Sequence, residues 1–136
     1  MLSSLRGDAS HQKKVLTLAR ADGRVLCERV EVAETVLSRT RGLLGRGHLA
    51  RGMGMTFRPG WSIHTAFMRF AIDVVFLDAE LVVRRVDSEL RPFRTASFKG
   101  AREVVELAAG ECALRGLQVG DHIAWIEASK ADPVGR

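Results

Sequence analysis

The stretch WSIHTAFMRFAIDVVFLD, residues 61–78, contains the strand that the sequence marks most clearly. From Phe70 to Leu77 the chain is apolar and rich in β-branched residues, and only Asp73 interrupts the run. An apolar run of this length and composition is typical of a strand that is buried on both faces. A carboxylate at its start needs a charged partner or hydrogen bonds, because an unpaired buried charge is very costly. The stretch therefore predicts a central buried strand with a polar centre at Asp73.

Polar side chains just upstream of Asp73 suggest a ligand site. Arg69 could bind an anion through its planar guanidinium fork, and Asp73 would then orient Arg69. In the alternative interpretation Asp73 is structural, accepts backbone N–H groups of the preceding loop and pairs with an arginine. The candidate ligand-binding residues are Trp61, His64, Met68, Arg69, Asp73 and Arg91.

His64 is the candidate general base, because an imidazole titrates near neutral pH. Ser62 and Thr65 flank it, but no nucleophile elbow of the type G-x-S-x-G surrounds them. Non-catalytic binding of a small ligand is therefore the leading interpretation. A hydrolase or transferase that uses His64 or Asp73 as its base is the first alternative.

The metal-ligating residue types show no ligand spacing. The four histidines, at positions 11, 48, 64 and 122, and the two cysteines form no HxxxH or CxxC pattern. The glycines of the segment 42–47 follow a predicted helix, whereas a phosphate-binding loop precedes one. We therefore predict neither a metal nor a cofactor. Cys27 and Cys112 are interpreted as two buried thiols, with a disulfide between them as the alternative.

The charge distribution offers a second alternative function. The net charge is +5, and Arg39, Arg41, Arg46, Arg51 and Arg58 fall in a stretch without any acid. Residues 39–58 could meet nucleic acid or an acidic protein in an interaction module. The stretch lacks interleaved aromatic residues, which argues against a dedicated single-strand binder. The predicted partner is thus an anionic small molecule, with nucleic acid disfavoured and the oligomeric state open.

The length of 136 residues predicts a single domain over residues 1–136, with an ordered core over about 13–128 and flexible ends. The first residues contain no apolar signal-peptide region, and no apolar run approaches the 18 residues of a membrane span. We therefore expect a cytoplasmic protein without a membrane span.

Turn signals and periodicity predict mostly strands. Asp22-Gly23 and Asp78-Ala-Glu80 are predicted hairpin turns. Thr35 is a plausible N-cap for one short amphipathic helix. Further predicted elements are strands at 52–57, 103–107 and 121–127 and a turn or single helical turn at 109–116. The predicted structural turn residues are Gly42, Gly45, Gly110, Gly120 and Asp121. The predicted fold is α+β and mostly β: a compact antiparallel sheet, barrel-like or sandwich-like, with one short amphipathic helix packed on it.

Several motifs resemble a known family. Ile63-His-Thr65, Met68-Arg-Phe70 and Ile72-Asp-Val-Val-Phe-Leu-Asp78 are similar to the signature of domain of unknown function 192. Further matches are Arg41-Gly-Leu-Leu-Gly-Arg46, Gly52-Met-Gly-Met55, Leu90-Arg-Pro92, Leu107-Ala-Ala-Gly110 and Gly116-Leu-Gln-Val-Gly-Asp121. The resemblance covers roughly residues 28 to 126. It implies a compact, mostly β bacterial or archaeal domain without an assigned activity or known cofactor.

Overall fold

The computed structural model describes residues 14–33, 48–66 and 68–128. Nine strands and one short helix lie in these ranges. The strands are β1 (Val15–Arg20), β2 (Val25–Ala33), β3 (Met53–Phe57), β4 (Ser62–His64), β5 (Ile72–Leu77), β6 (Val83–Leu90), β7 (Thr95–Ser97), β8 (Glu103–Ala108) and β9 (Ile123–Glu127), and the helix α1 spans Glu111–Arg115. The mostly β fold is confirmed. The amphipathic helix that Thr35 is predicted to cap lies outside the described residues, as do Gly42 and Gly45.

Seven strands form one mixed sheet in the order β6-β5-β8-β3-β2-β1-β9, and β4 pairs with β7 in a separate two-stranded sheet. All neighbours in the large sheet are antiparallel except β2 and β3, which run parallel from the pair Arg29–Met53 to the pair Ala33–Phe57. The predicted antiparallel sheet is therefore found with one parallel pair, which makes it mixed. Residues 34–52 separate the two strands, and a connection of this length lets the chain return in the same direction.

The two edges of the large sheet meet at one end. An isolated antiparallel bridge joins Val82, just before β6, to His122, just before β9. Backbone hydrogen bonds from Val83 N to the Asp121 carbonyl and from Ile123 N to the Leu81 carbonyl flank this bridge. The sheet is therefore curled, but it is not a closed barrel.

Strand β5 lies inside the sheet and is buried along its whole length, as its apolar sequence predicts. Its side chains alternate between two apolar clusters, because successive residues of a strand point to opposite faces. Val75 and Leu77 belong to the first core cluster, which also contains Leu18, Leu26, Val30, Val105 and Leu117. Val74 and Phe76 belong to the second core cluster, which also contains Met55, Phe57, Met68, Ala96 and Val104.

Both predicted hairpins are present. Asp22 and Gly23 connect β1 to β2, and the Asp22 carboxylate accepts a hydrogen bond from the Arg24 N–H at 3.1 Å. In the turn from β5 to β6, Asp78 Oδ1 accepts hydrogen bonds from the N–H groups of Glu80 and Val82. An aspartate carboxylate that binds backbone N–H groups ahead of it is a common way to fix a tight turn.

Three of the predicted structural turn residues lie in or beside turns. Gly110 precedes α1 with a φ of 89°, and Gly120 lies in the turn before β9. In that turn Asp121 Oδ2 accepts a hydrogen bond from Gln118 N at 2.9 Å.

No helix within the described ranges is long and apolar enough to cross a membrane.

Gly54 in β3 allows a close approach between two strands of the large sheet. A Cβ atom at this position would lie 2.7 Å from the Glu106 carbonyl oxygen and 2.7 Å from Leu107 Cδ2. The carbonyl belongs to the backbone of β8, so it cannot move without disturbing the pairing of β3 and β8. We expect Gly54→Ala to lower the free energy of unfolding by roughly 1–3 kcal/mol in urea denaturation.

Gly100→Ala is the matched control for this substitution. A Cβ atom there meets only the ring of Phe98, at 3.0 Å, and a side chain can rotate away. Equal losses of stability in the two variants would contradict the assignment of strain to the β3–β8 contact.

Candidate functional site

Asp73 is fully buried, and both of its carboxylate oxygens accept hydrogen bonds from the backbone. Oδ1 accepts from the Glu89 N–H at 2.8 Å and from the Gly110 N–H at 3.0 Å. Oδ2 accepts from the Cys112 N–H at 2.9 Å. Hydrogen bonds to an ionised acceptor are about twice as strong as those between neutral groups. The carboxylate therefore anchors two distant parts of the chain, β6 and the start of α1.

One of these parts is a bulge in β6. The pairing of β5 with β6 passes from Ile72–Leu90 to Val74–Asp87, so that Ser88 and Glu89 both lie opposite Asp73. Glu89 has a φ of 51°, which turns its N–H toward the carboxylate. An extra residue in one strand leaves its backbone unpaired, and Asp73 provides the missing acceptor.

Asp73 and Arg69 do not form the predicted pair. Arg69 lies in the loop before β5 with an exposed side chain, whereas Asp73 is buried and bonded to backbone N–H groups. These donors come from β6 and from the start of α1, and not from the preceding loop. The contacts agree with the structural interpretation of Asp73 in one respect, since backbone N–H groups bind its carboxylate. Met68, another predicted ligand-binding residue, is buried in the second core cluster.

Thr65, which directly follows β4, is bonded to the segment that follows β6. Its backbone N–H donates to the Arg94 carbonyl at 2.8 Å, and its carbonyl accepts from the Phe93 N–H at 3.1 Å. Its hydroxyl donates to the Arg91 carbonyl at 2.6 Å and accepts from the Arg94 N–H at 2.8 Å. Thr65 is fully buried, so this set of bonds fixes one end of the small sheet.

The small sheet of β4 and β7 has one buried and one exposed face. In its three cross-strand pairs, Ile63 lies opposite Ala96, and both pack toward the second core cluster. The side chains that alternate with them point to solvent. These exposed residues are Ser62, His64, Thr95 and Ser97. An imidazole and three hydroxyl groups therefore form the outer face of the sheet.

The two segments that build this surface are basic. Residues 61–70 and 91–102 contain five cationic side chains and no acid. The five are Arg69, Arg91, Arg94, Lys99 and Arg102, and all are exposed. We call the outer face of β4 and β7 together with these five side chains the basic ribbon.

Several other arginines in the described ranges form ion pairs. Arg84 pairs with Asp78, Arg85 with Asp87 and Arg115 with Glu28. Within the part of the chain that the structure describes, none of the five ribbon cations forms an ion pair. Their positive charge is therefore available for a partner from outside.

A second polar cluster centres on Glu103, the residue that follows Arg102, and its groups bind one another. Glu103 in β8 is buried, and its carboxylate accepts hydrogen bonds from the Thr56 hydroxyl, from Arg58 Nε at 2.8 Å and from Trp125 Nε1 at 3.4 Å. The guanidinium of Arg58 also lies 5.2 Å from the centre of a Trp125 ring. Because β9 and β8 are not neighbours in the sheet, this cluster connects distant strands across the first core cluster.

Glu106 is a buried carboxyl without such partners. Its cross-strand neighbours are Met55 on β3 and Val74 on β5, both apolar. Within the described residues no hydrogen bond or ion pair involves its side chain, and burial raises the pKa of Glu106 to about 8. The group is thus protonated at neutral pH, which spares the core a buried negative charge. Its signal in the sequence is an acid within the otherwise apolar run of residues 104–108, the same signal that identifies Asp73.

The two cysteines are free and buried. Burial raises the pKa of Cys27 to about 12, and burial together with the nearby Asp73 carboxylate also raises the pKa of Cys112. Neither thiol is therefore a nucleophile at neutral pH. Among the residues that the structure describes, no group of three or more His, Cys, Asp or Glu side chains could hold a metal ion.

Comparison with known proteins identifies relatives of this chain. The model of the DUF192 family, described as "Uncharacterized ACR", matches residues 17–125. A UPF0127 protein of Thermococcus sibiricus is 32% identical over 116 residues, which cover 81% of this chain and 74% of that protein. A UPF0127 protein of Pyrococcus abyssi is 36% identical over 102 residues, which cover 72% of this chain and 86% of that protein.

Two solved structures share the fold. A "putative transcription regulator" of Sinorhizobium meliloti superposes with a TM-score of 0.73 at 24% identity, covering 84% of this chain and 94% of that one. A protein of unknown function from Novosphingobium aromaticivorans gives a TM-score of 0.69 at 24% identity, covering 84% of this chain and 86% of that one. At this level of identity the likeness concerns the fold alone.

Replacement of Asp73 should cost far more stability than replacement of Arg69. Asp73→Ala removes the acceptor of three backbone N–H groups, and each unsatisfied buried group costs roughly 1–3 kcal/mol. We expect the free energy of unfolding in urea to fall by about 3–5 kcal/mol. Arg69→Ala, at an exposed position, should change it by less than about 0.5 kcal/mol. Comparable losses in both variants would show that Arg69 belongs to the same structural unit.

Glu106 should make the stability of the protein depend on pH. The folded state keeps the carboxyl protonated up to about pH 8, whereas the ordinary value of a glutamate is 4.5. The free energy of unfolding should therefore fall between pH 5 and 8, by roughly 3–5 kcal/mol at 1.36 kcal/mol per pKa unit. Glu106→Gln should abolish this decline, while exposed Glu80→Gln should keep it. A decline that persists unchanged in Glu106→Gln would contradict the assignment.

Proposed function

The chain belongs to the DUF192 family, and we propose that it is a non-catalytic module that binds the phosphate group of a small anionic ligand on the basic ribbon. The observation that carries this proposal is the set of five exposed cations, without an acid in their two segments and without an ion pair in the described ranges. Unpaired positive charge on a rigid surface raises the local concentration of anions and favours their binding.

The anion site lies at the end of the ribbon that Thr65 fixes. The Thr65 hydroxyl bonds to the Arg91 carbonyl, and the Met68 N–H bonds to the Thr65 carbonyl, so both flanking arginines begin from a fixed backbone. Arg69 and Arg91 supply planar guanidinium groups, which match the oxygens of a phosphate in a bidentate arrangement. His64, on the outer face of β4, adds an imidazole at the same end.

Other members of the predicted ligand-binding set support this site from inside the protein. Asp73 holds the start of β5 to β6 and α1, and the loop that carries Arg69 leads directly into β5. Met68 fills the second core cluster beneath the small sheet. In this proposal neither side chain touches the ligand. Rigid support of the contacting residues is what gives such a site its affinity.

The observed contacts give less support to the two alternative functions, an enzyme with His64 or Asp73 as its base and an interaction module that uses residues 39–58. Both carboxylate oxygens of Asp73 are already occupied by backbone donors, which removes a reason to assign it as a general base. Of the arginines in the basic stretch 39–58, Arg58 is engaged by Glu103 and Trp125. Arg51 is exposed, and Arg39, Arg41 and Arg46 lie outside the described residues.

Titration of inorganic phosphate, followed by the change in melting temperature and by calorimetry, tests the proposal. A ligand at 100 times its dissociation constant adds about 2.7 kcal/mol of stability, which is easily seen in a melting curve. Arg69→Ala and Arg91→Ala should each weaken binding at least about tenfold, since each removes charge-assisted hydrogen bonds.

The control variant is Arg24→Ala, which removes an exposed arginine from the turn between β1 and β2. It should bind phosphate as the unmodified chain does. Binding that is lost equally in Arg24→Ala would reflect net charge alone and would contradict a site on the ribbon.

A further inference from the structure

We propose that the phosphate bound by this surface belongs to a single-stranded nucleic acid that lies along the basic ribbon. The inference rests on the proposed function for its phosphate-binding surface and goes beyond it, because the ligand is a polymer of phosphates and not a small molecule. It comes from the length of the charged surface and from the aromatic side chains at its two ends.

The cations lie at both ends of the ribbon. At one end, the backbone carbonyl of Arg91 accepts from the Thr65 hydroxyl and that of Arg94 accepts from the Thr65 N–H. At the other end Lys99 follows Phe98, whose N–H bonds to the Trp61 carbonyl, and Arg102 accepts a bond from the Gly60 N–H. Four residue steps separate Trp61 from Thr65, a distance of about 13 Å in an extended strand. A single phosphate group cannot reach both ends, whereas a chain of phosphates can.

An exposed aromatic side chain accompanies the cations at each end. Trp61 precedes β4 and is 50% exposed. Phe93 donates its N–H to Thr65 at the opposite end, and it is 68% exposed. Unpaired bases stack on aromatic rings of this kind regardless of sequence, while cations beside them hold the backbone. The basic stretch 39–58 has no such interleaving, but the ribbon does.

The side chains between the two aromatic residues favour a nucleic acid over a lipid surface. Ser62, His64, Thr95 and Ser97 occupy this part of the outer face. Hydroxyl groups and an imidazole form hydrogen bonds with phosphates, sugars and base edges. They gain nothing from the acyl region of a membrane, where polar groups lose their hydrogen bonds to water. Stacking on Trp61 also requires an unpaired base, which selects a single strand over a duplex.

The test compares ligands of increasing length on the full chain. Fluorescein-labelled dT12, a 12-base-pair duplex, dTMP, inorganic phosphate and phosphatidylglycerol vesicles are titrated in low salt. We expect dT12 to bind at least tenfold more tightly than dTMP or the duplex. The logarithm of the dT12 binding constant should fall with the logarithm of salt concentration with a slope of about −2 to −3, since each phosphate contact on a single strand contributes about −0.7.

The fluorescence of Trp61 provides a readout that electrostatic binding alone would not change. Stacking should quench tryptophan fluorescence, and Trp61→Phe should lose the quenching while keeping most of the affinity. Trp61→Ala should weaken dT12 binding about tenfold, in line with the loss of one stacked base. Lys99→Ala with Arg102→Ala should weaken dT12 more than it weakens inorganic phosphate.

The outcomes separate the two proposals. If phosphate binds and needs Arg69 and Arg91, but dT12 binds no better than dTMP, the nucleic-acid inference fails and the proposed function stands. Tighter binding of the duplex or of the vesicles, or unchanged dT12 affinity in Trp61→Ala, also overturns the inference. If neither phosphate nor dT12 binds, both proposals fail.

Discussion

The hydrogen bonds of the buried Asp73 carboxylate are the constraint on which the arrangement of the chain depends. One side chain in the central strand β5 holds the bulge of β6, the residue before α1 and the first turn of α1. The first turn of α1 also carries buried Glu111, whose carboxylate accepts a hydrogen bond from the Gly52 N–H just before β3. Three segments, the bulge of β6, the start of α1 and the turn before β3, are thus positioned by carboxylate groups that accept from the backbone. An apolar residue at position 73 would leave these donors without acceptors, which explains why an acid interrupts an otherwise apolar strand.

Much of this core could be predicted from the sequence, because the responsible signals are local. The apolar run around Asp73 identifies β5, and the turn residues Asp22-Gly23 and Asp78 identify two hairpins. The parallel pairing of β2 and β3 was not predictable in the same way, since no local pattern fixes the direction in which a chain returns after a long connection. The three-residue strands β4 and β7 are too short to give a periodic signal.

In the candidate site, too, local features could be predicted from the sequence and long-range contacts could not. Sequence proximity places Arg69 near Asp73, but the loop presents one side chain to solvent and the strand buries the other. Arg94 and Lys99 join the site only through the hydrogen bonds of Thr65 and Trp61 to a segment about thirty residues away. Long-range pairing of this kind leaves no trace in spacing or composition. The buried carboxyl of Glu106, by contrast, is visible as an acid in an apolar run, and its environment keeps it neutral instead of pairing it.

The curled shape of the large sheet has a consequence for self-association. A sheet normally exposes two edge strands whose free backbone groups can pair with another molecule, and this is a common route to aggregation. Here the starts of β6 and β9 are joined through Val82 and His122, so part of each edge is already paired. The remaining length of β6 carries charged Arg84, Arg85 and Asp87, which discourage the docking of a foreign strand. The bridge and the charged side chains of β6 therefore protect this edge, and strand-mediated aggregation through β6 should be disfavoured.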